Sequence, residues 1–93
     1  VRVLELPANL RPYKKTPEFS QDSVPAGLLK SHATKAGTWG KVVILDGELL
    51  YRILEPVVEE IILTPQKHGV VEPQIKHEVA PRGDVRFFVE FYK

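Results

Sequence analysis

Apolar residues in this chain alternate with polar ones at a period of two, in short runs separated by Pro, Gly and Asp. That period puts successive side chains on opposite faces of an extended backbone, so the chain reads as a series of short β-strands. Lys41 to Leu45 and Glu48 to Leu54 are predicted as two strands joined by Asp46-Gly47 in a type I′ turn, whose central residues both take positive φ. Glu55-Pro56 stops the second strand. Glu59 to Thr64 and Val70 to Glu72 follow as strands on either side of a Pro65 to Gly69 turn. His77 to Ala80 is predicted to end at Pro81, and Pro81-Arg82-Gly83-Asp84 to form a tight hairpin with Gly83 in the left-handed region. Val85 to Tyr92 closes the chain with Phe87, Val89 and Phe91 on one face and Arg86, Phe88, Glu90 and Tyr92 on the other.

Upstream, Val1 to Pro7 reads as a short edge strand ended by proline, which donates no ladder hydrogen bond. Ala8 to Ala26 is rich in Pro, Lys, Ser and Asp with scattered Leu10, Tyr13 and Phe19, so residues 1–26 are expected to form a strand and a wrapping arm. Leu28 to Thr34 is predicted as a strand, followed by the glycine-punctuated loop ATKAGTWG. Nothing shows a sustained helical period. Val57 to Leu63 comes closest, but its Val and Ile content after a proline favours strand. The expectation is a single all-β domain over residues 1–93, a small antiparallel β-barrel or sandwich.

Composition narrows the chemistry. A chain of 93 residues hides only roughly 60 to 65% of its unfolded surface, so uncovered apolar surface is expected and with it a homodimer. The net charge of +1 creates no long-range field for nucleic acid or an anionic membrane. Cysteine is absent, which excludes disulfides, zinc ribbons and thiolate nucleophiles and leaves His and carboxylates as the available metal ligands. The longest apolar runs, such as Val42 to Leu45, fall far short of the roughly 20 residues of a membrane helix, and the N-terminus shows no basic-then-apolar signal pattern. A soluble, cytoplasmic protein is expected.

Three stretches carry a family resemblance: LPANLRPYKKTPEF, VPAGLLKSHATKAGTWGKVVILDGELLYRILEP and GVVEPQIKHEVAPRGDVRFFVEFYK. Together with the combined pattern H-x-T-x-x-G-x-W-G, D-G, E-P-x-x-x-H and F-x-V-E-F-Y, they resemble the small domain named after the N-terminal part of the tellurite resistance protein TehB, a family that also includes YeaR-like proteins. The resemblance runs from about Leu6 to Lys93. It implies a cupin-like barrel with a pocket at one end, found alone or fused to a methyltransferase. It does not imply methyl transfer by this chain, which has no Rossmann glycine fingerprint and no room for a nucleotide-binding sheet. Against the broader cupin pattern the match is partial: His32 is followed by Thr34 where a second histidine is usual, Trp39 or Gly40 stands near the carboxylate position, and His77 fits the later histidine.

The candidate site follows from these residues. His32 and His77 with Glu90 are the expected ligands of a divalent metal such as zinc, nickel, manganese or iron, with Glu72 as the second choice of carboxylate. The competing reading of the histidines is structural hydrogen bonding, and of Glu90 a salt bridge to Arg86 or a strand lysine. Around them, Trp39 is placed at the pocket mouth as a stacking platform or a packing residue. Tyr51 and Tyr92 could orient a ligand through inward hydroxyls, and Arg86 could hold an oxyanion in its planar fork. Lys14-Lys15 with Arg11 and Lys30 read as a solvated surface. The reading is a cupin-like module that binds a divalent metal or a small anionic ligand, with a small metal-dependent enzyme as the alternative.

Overall fold

The long strands β3 (Trp39–Ile53) and β6 (His77–Tyr92) pair antiparallel from Trp39 opposite Tyr92 to Ile53 opposite His77, and the remaining strands attach to their outer edges. This computed structural model describes residues 5–93. The expected strand Val1 to Pro7 lies mostly outside the described residues, and Glu5 to Pro7 is not extended strand. On the far side of β3, β4 (Glu59–Leu63) and β5 (Gly69–Val71) lie end to end, opposite Leu49 to Ile53 and Gly40 to Val42 respectively. Along the free edge of β6 run β1 (Pro12–Lys15), β2 (Phe19–Ser20) and an isolated bridge between His32 and His77. The result is one antiparallel sheet with order β1-β6-β3-β4.

Neither expected hairpin forms. Asp46-Gly47 does not reverse the chain, because both residues stay paired to β6, opposite Arg86 and Val85, and Asp46 keeps negative φ. Pro81 to Asp84 likewise continues β6 rather than turning back. In both places long-range pairing along a common partner overrides local turn chemistry. The turn residues instead create bulges. Leu45 is an extra residue between the Ile44–Phe87 and Asp46–Arg86 pairs, and Gly83-Asp84 are extra between Gly47–Val85 and Glu48–Arg82. One inserted residue shifts the inward phase of β3 from Val42 and Ile44 to Leu49, Tyr51 and Ile53. Two inserted residues leave the phase of β6 unchanged, with His77, Val79, Val85, Phe87 and Val89 all buried.

The doubled bulge bends both strands, so that side chains from opposite ends of β6 face one interior. The core centres on Phe87, Leu49, Ile53, Leu63 and Val85, each essentially unexposed and each contributing about 2 to 3 kcal/mol on burial. Residues 28–34, expected as a strand, form a 3₁₀ turn at Ala26–Leu29 and then touch the sheet only at His32. The arm is pinned across the concave side. Phe19 packs edge-on against Phe87 at 5.7 Å, Thr16 and Val89 exchange two hydrogen bonds of 2.9 and 3.0 Å, and Gln21 Oε1 accepts from Val85 N–H at 3.0 Å while its amide donates to Asp84 at 3.0 Å.

Gly47 and Gly83 separate conformational from steric need. Both have positive φ, 82° and 74°, but a Cβ on Gly47 would overlap the Asp84 carbonyl oxygen, whereas one on Gly83 would meet open space. Gly83→Ala should therefore cost about 1 kcal/mol of left-handed strain, and Gly47→Ala at least about 2 kcal/mol because the bulge itself must open. Equilibrium urea unfolding of the two variants checks this; equal losses would show that the close approach at the bulge is not maintained.

Candidate functional site

The curled sheet and the arm enclose a cavity of about 620 Å³, a size suited to a small organic molecule. Its floor is apolar, formed by Val42, Val71, Val79, Phe87, Val89 and Phe91, because these are the inward positions of β3, β5 and β6. The arm and the loop after His32 supply the other wall, with Leu28, Thr34 and Thr38, and Lys14 and Lys35 stand exposed at the mouth. No Asp or Glu lines it.

His32 and His77 meet within this cavity. Their backbones exchange N–H···O bonds of 3.0 and 2.9 Å, and their rings pack edge to face with centroids 4.1 Å apart. Each ring donates from Nδ1 to a backbone carbonyl two residues earlier, His32 to Lys30 at 2.9 Å and His77 to Ile75 at 2.8 Å. A carbonyl can only accept, so Nδ1 carries the hydrogen in both rings, and Nε2 is the nitrogen left to accept whenever the ring is neutral. Tyr51 backs His77, its ring edge-on at 5.7 Å and its hydroxyl donating to the Val70 carbonyl at 3.1 Å. Burial lowers the His77 pKa to about 4; the Ile75 carbonyl opposes this shift and His32 adds to it.

The matched relatives agree with this architecture. A family model for the TehB-like domain matches residues 14–89. The chain belongs to the TehB-like domain family. The probable S-adenosyl-L-methionine-dependent methyltransferase TehB of Haemophilus influenzae, in strains Rd and 10810, is 41% identical over 76 residues, covering 77% of this chain and 27% of TehB. The chain thus spans about a quarter of the length of these relatives. The crystal structure of H. influenzae TehB superposes on 91% of this chain and 32% of its own, with a TM-score of 0.84 and 37% identity. An E. coli K12 protein shares the fold over 98% of this chain and 97% of its own, with a TM-score of 0.88 at 20% identity. A cupin-2 domain protein from Shewanella frigidimarina shares it more distantly, at 13% identity and a TM-score of 0.56 over 96% of this chain and 76% of its own. This TehB-like domain is therefore a small cupin-like β fold.

Of the residues expected at the site, His32 and His77 come together, with Tyr51 behind them. Glu90 does not join them. It lies on the opposite face of β6 from Val89 and Phe91 and accepts a hydrogen bond from the Tyr92 hydroxyl at 2.6 Å, so both residues are turned away from the cavity. No group of three or more His, Asp or Glu side chains suited to a metal ion occurs among the described residues. Arg86 pairs with Glu18 at 3.1 Å on the outer surface instead of facing the interior. Trp39, half-buried opposite Tyr92, and Glu72 also lie outside the cavity lining. Lys14 and Lys35 were hidden in the sequence because an exposed lysine at a cavity rim looks like any solvated lysine. The apolar spacing of Tyr13, Phe19, Val24 and Leu28 along the arm was the available signal that these segments cover the sheet.

The buried neutral His77 makes this domain acid-sensitive. An unfolded histidine binds its proton near 6.5, whereas folded His77 does so only near 4. Between those values the unfolded chain alone takes up the proton, so His77 destabilises the fold as pH falls through the window, by up to roughly 3 kcal/mol, and has no pH effect above it. In urea unfolding, the stability gap between wild type and His77→Leu should narrow by about that amount from pH 7 to about 4. A constant gap would contradict the buried, neutral state.

Proposed function

We propose that this domain is a binding module for a small organic anion, held between the arm and the concave face of the sheet. The charge of the lining is the observation that supports this reading. Lys14 and Lys35 stand at the mouth, neither forms an ion pair with a described carboxylate, and no acidic side chain lines the wall. An aliphatic and aromatic floor beneath a cationic rim matches a ligand with an apolar body and one anionic end. On this reading any methyl transfer would belong to a separate catalytic unit, since the described residues form no nucleotide-binding βαβ unit.

A second reading, favoured by the orientation of both histidines, places a divalent ion such as zinc, nickel, manganese or iron on the two Nε2 atoms. Two imidazoles are fewer than the three or four protein ligands usual for zinc, so water or a bound anion would complete the set. Such an ion would supply Lewis acidity, the basis of a metal-dependent enzyme.

Titration of the ¹⁵N-labelled chain in chelator-treated buffer with octanoate and its neutral primary amide tests the first reading. Octanoate should shift amides of Thr16, Thr34 to Thr38 and Val89 to Phe91, and the Lys14→Glu, Lys35→Glu double variant should bind it roughly fivefold to tenfold more weakly. Equal binding of acid and amide, or no binding of either, would refute the anion reading. Zinc chloride in the same spectra should give saturable shifts centred on His32 and His77 if the second reading holds, and none if it fails.

A further inference from the structure

We infer that the ligand of this cavity is an organic acid carrying a hydrogen-bond donor, a hydroxyl or amino group, remote from its anionic end, and that the Nε2 atom of His77, beside His32, receives that donor. This rests on the anion-binding reading above and adds the other end of the molecule.

No described residue donates to the Nε2 of His32 or of His77. His77 is 4% exposed and its Nδ1–H is committed to Ile75. No side-chain nitrogen or oxygen among the described residues is sealed from solvent without a partner. The Nε2 of His77 is therefore open to the cavity that the ring lines, rather than closed in by packing. His32, which also lines the cavity, presents the same tautomer with its ring centroid 4.1 Å from that of His77. Neighbouring hydroxyls do not donate to either Nε2: Thr34 donates to the Thr38 carbonyl at 2.8 Å and Thr16 to the Pro17 carbonyl at 2.9 Å.

The fold also separates the two recognition ends. His32 bridges to His77 at the start of β6, whereas Lys14 pairs opposite Phe91 near its end. Between them the cavity wall is Val79, Phe87 and Val89. A ligand anchored by its charge at the Lys14 rim thus crosses an apolar floor before reaching the histidines. A purely apolar far end would leave the buried His77 Nε2 without a donor, the circumstance in which a site discriminates against an analogue lacking that donor.

The test uses the intact ¹⁵N-labelled chain in chelator-treated buffer and a series of ω-hydroxyalkanoates of increasing length, each beside its ω-methoxy ether. The ether keeps the carboxylate, the chain and the oxygen and replaces the donor hydrogen with a methyl group, so the series of lengths separates the lost hydrogen bond from the added bulk. At the length that spans the cavity the hydroxy acid should bind about tenfold more tightly than the ether. It should also move the His77 ring Nε2 resonance, which the ether leaves in place. His77→Phe should abolish the preference; if that variant does not fold, the Nε2 resonance of the wild-type chain decides alone. Equal affinity within every pair together with an unmoved Nε2 resonance would overturn this inference while leaving the anion reading intact. Failure of both acids to bind at any length would overturn both.

Discussion

The offset between β3 and β6 governs the shape of this domain and the placement of its cavity. With Leu45 extra on one strand and Gly83-Asp84 extra on the other, a ladder of two long strands cannot stay flat. The contact that fixes the offset is the approach of the Asp84 carbonyl to Gly47, close enough to exclude any side chain there. Its consequences reach the site directly. Bending brings His77 and Phe91, near opposite ends of one strand, to the same interior, and the phase shift in β3 turns Val42 and Tyr51 inward on either side of the bend. Gln21 reinforces the same point from the arm by occupying the Val85 N–H beside the bulge.

The period-two pattern made the all-β class and most strand positions legible: the strands expected over Glu59 to Thr64 and Val70 to Glu72 form as Glu59–Leu63 and Gly69–Val71, and Phe87, Val89 and Phe91 share the inward face that alternation gave them. Connectivity at Asp46-Gly47 was not legible, for a physical reason. A tight turn and a bulge can both take a left-handed glycine and both change the phase of the apolar pattern, so local sequence cannot distinguish them. Only the partner strand decides, and β6 continues past the bend. The same ambiguity affected Pro81 to Asp84. At the site, the histidine pair could be anticipated from the family pattern, whereas Glu90 and Arg86 were assigned to it against the alternation that put Phe87, Val89 and Phe91 inward, and both point outward.

The interior that results has an ordered polarity. Positive charge is confined to the mouth at Lys14 and Lys35, the floor is aliphatic and aromatic, and the buried polar group is the His77 imidazole, which shares with His32 a tautomer set by backbone carbonyls. Burial and the neighbouring His32 work against a positive charge on His77, which keeps that nitrogen an acceptor. On the proposed reading, such an arrangement would select a ligand by charge at one end and by hydrogen-bonding sense at the other. The outer faces carry a different kind of chemistry: Arg52 bridges Glu60 and Glu78, and Arg86 holds Glu18, in exposed or half-exposed pairs of modest energetic weight.

On the proposed reading, this TehB-like domain takes its ligand in the space between arm and sheet. Intermolecular nuclear Overhauser contacts between bound octanoate and the protein's methyl groups locate the ligand without any substitution in the chain. Contacts are expected from the alkyl chain to Val42, Val71, Val79 and Val89, which line the cavity floor. Contacts confined to the exposed Val57 and Val58, on the outside of the fold, would contradict the reading.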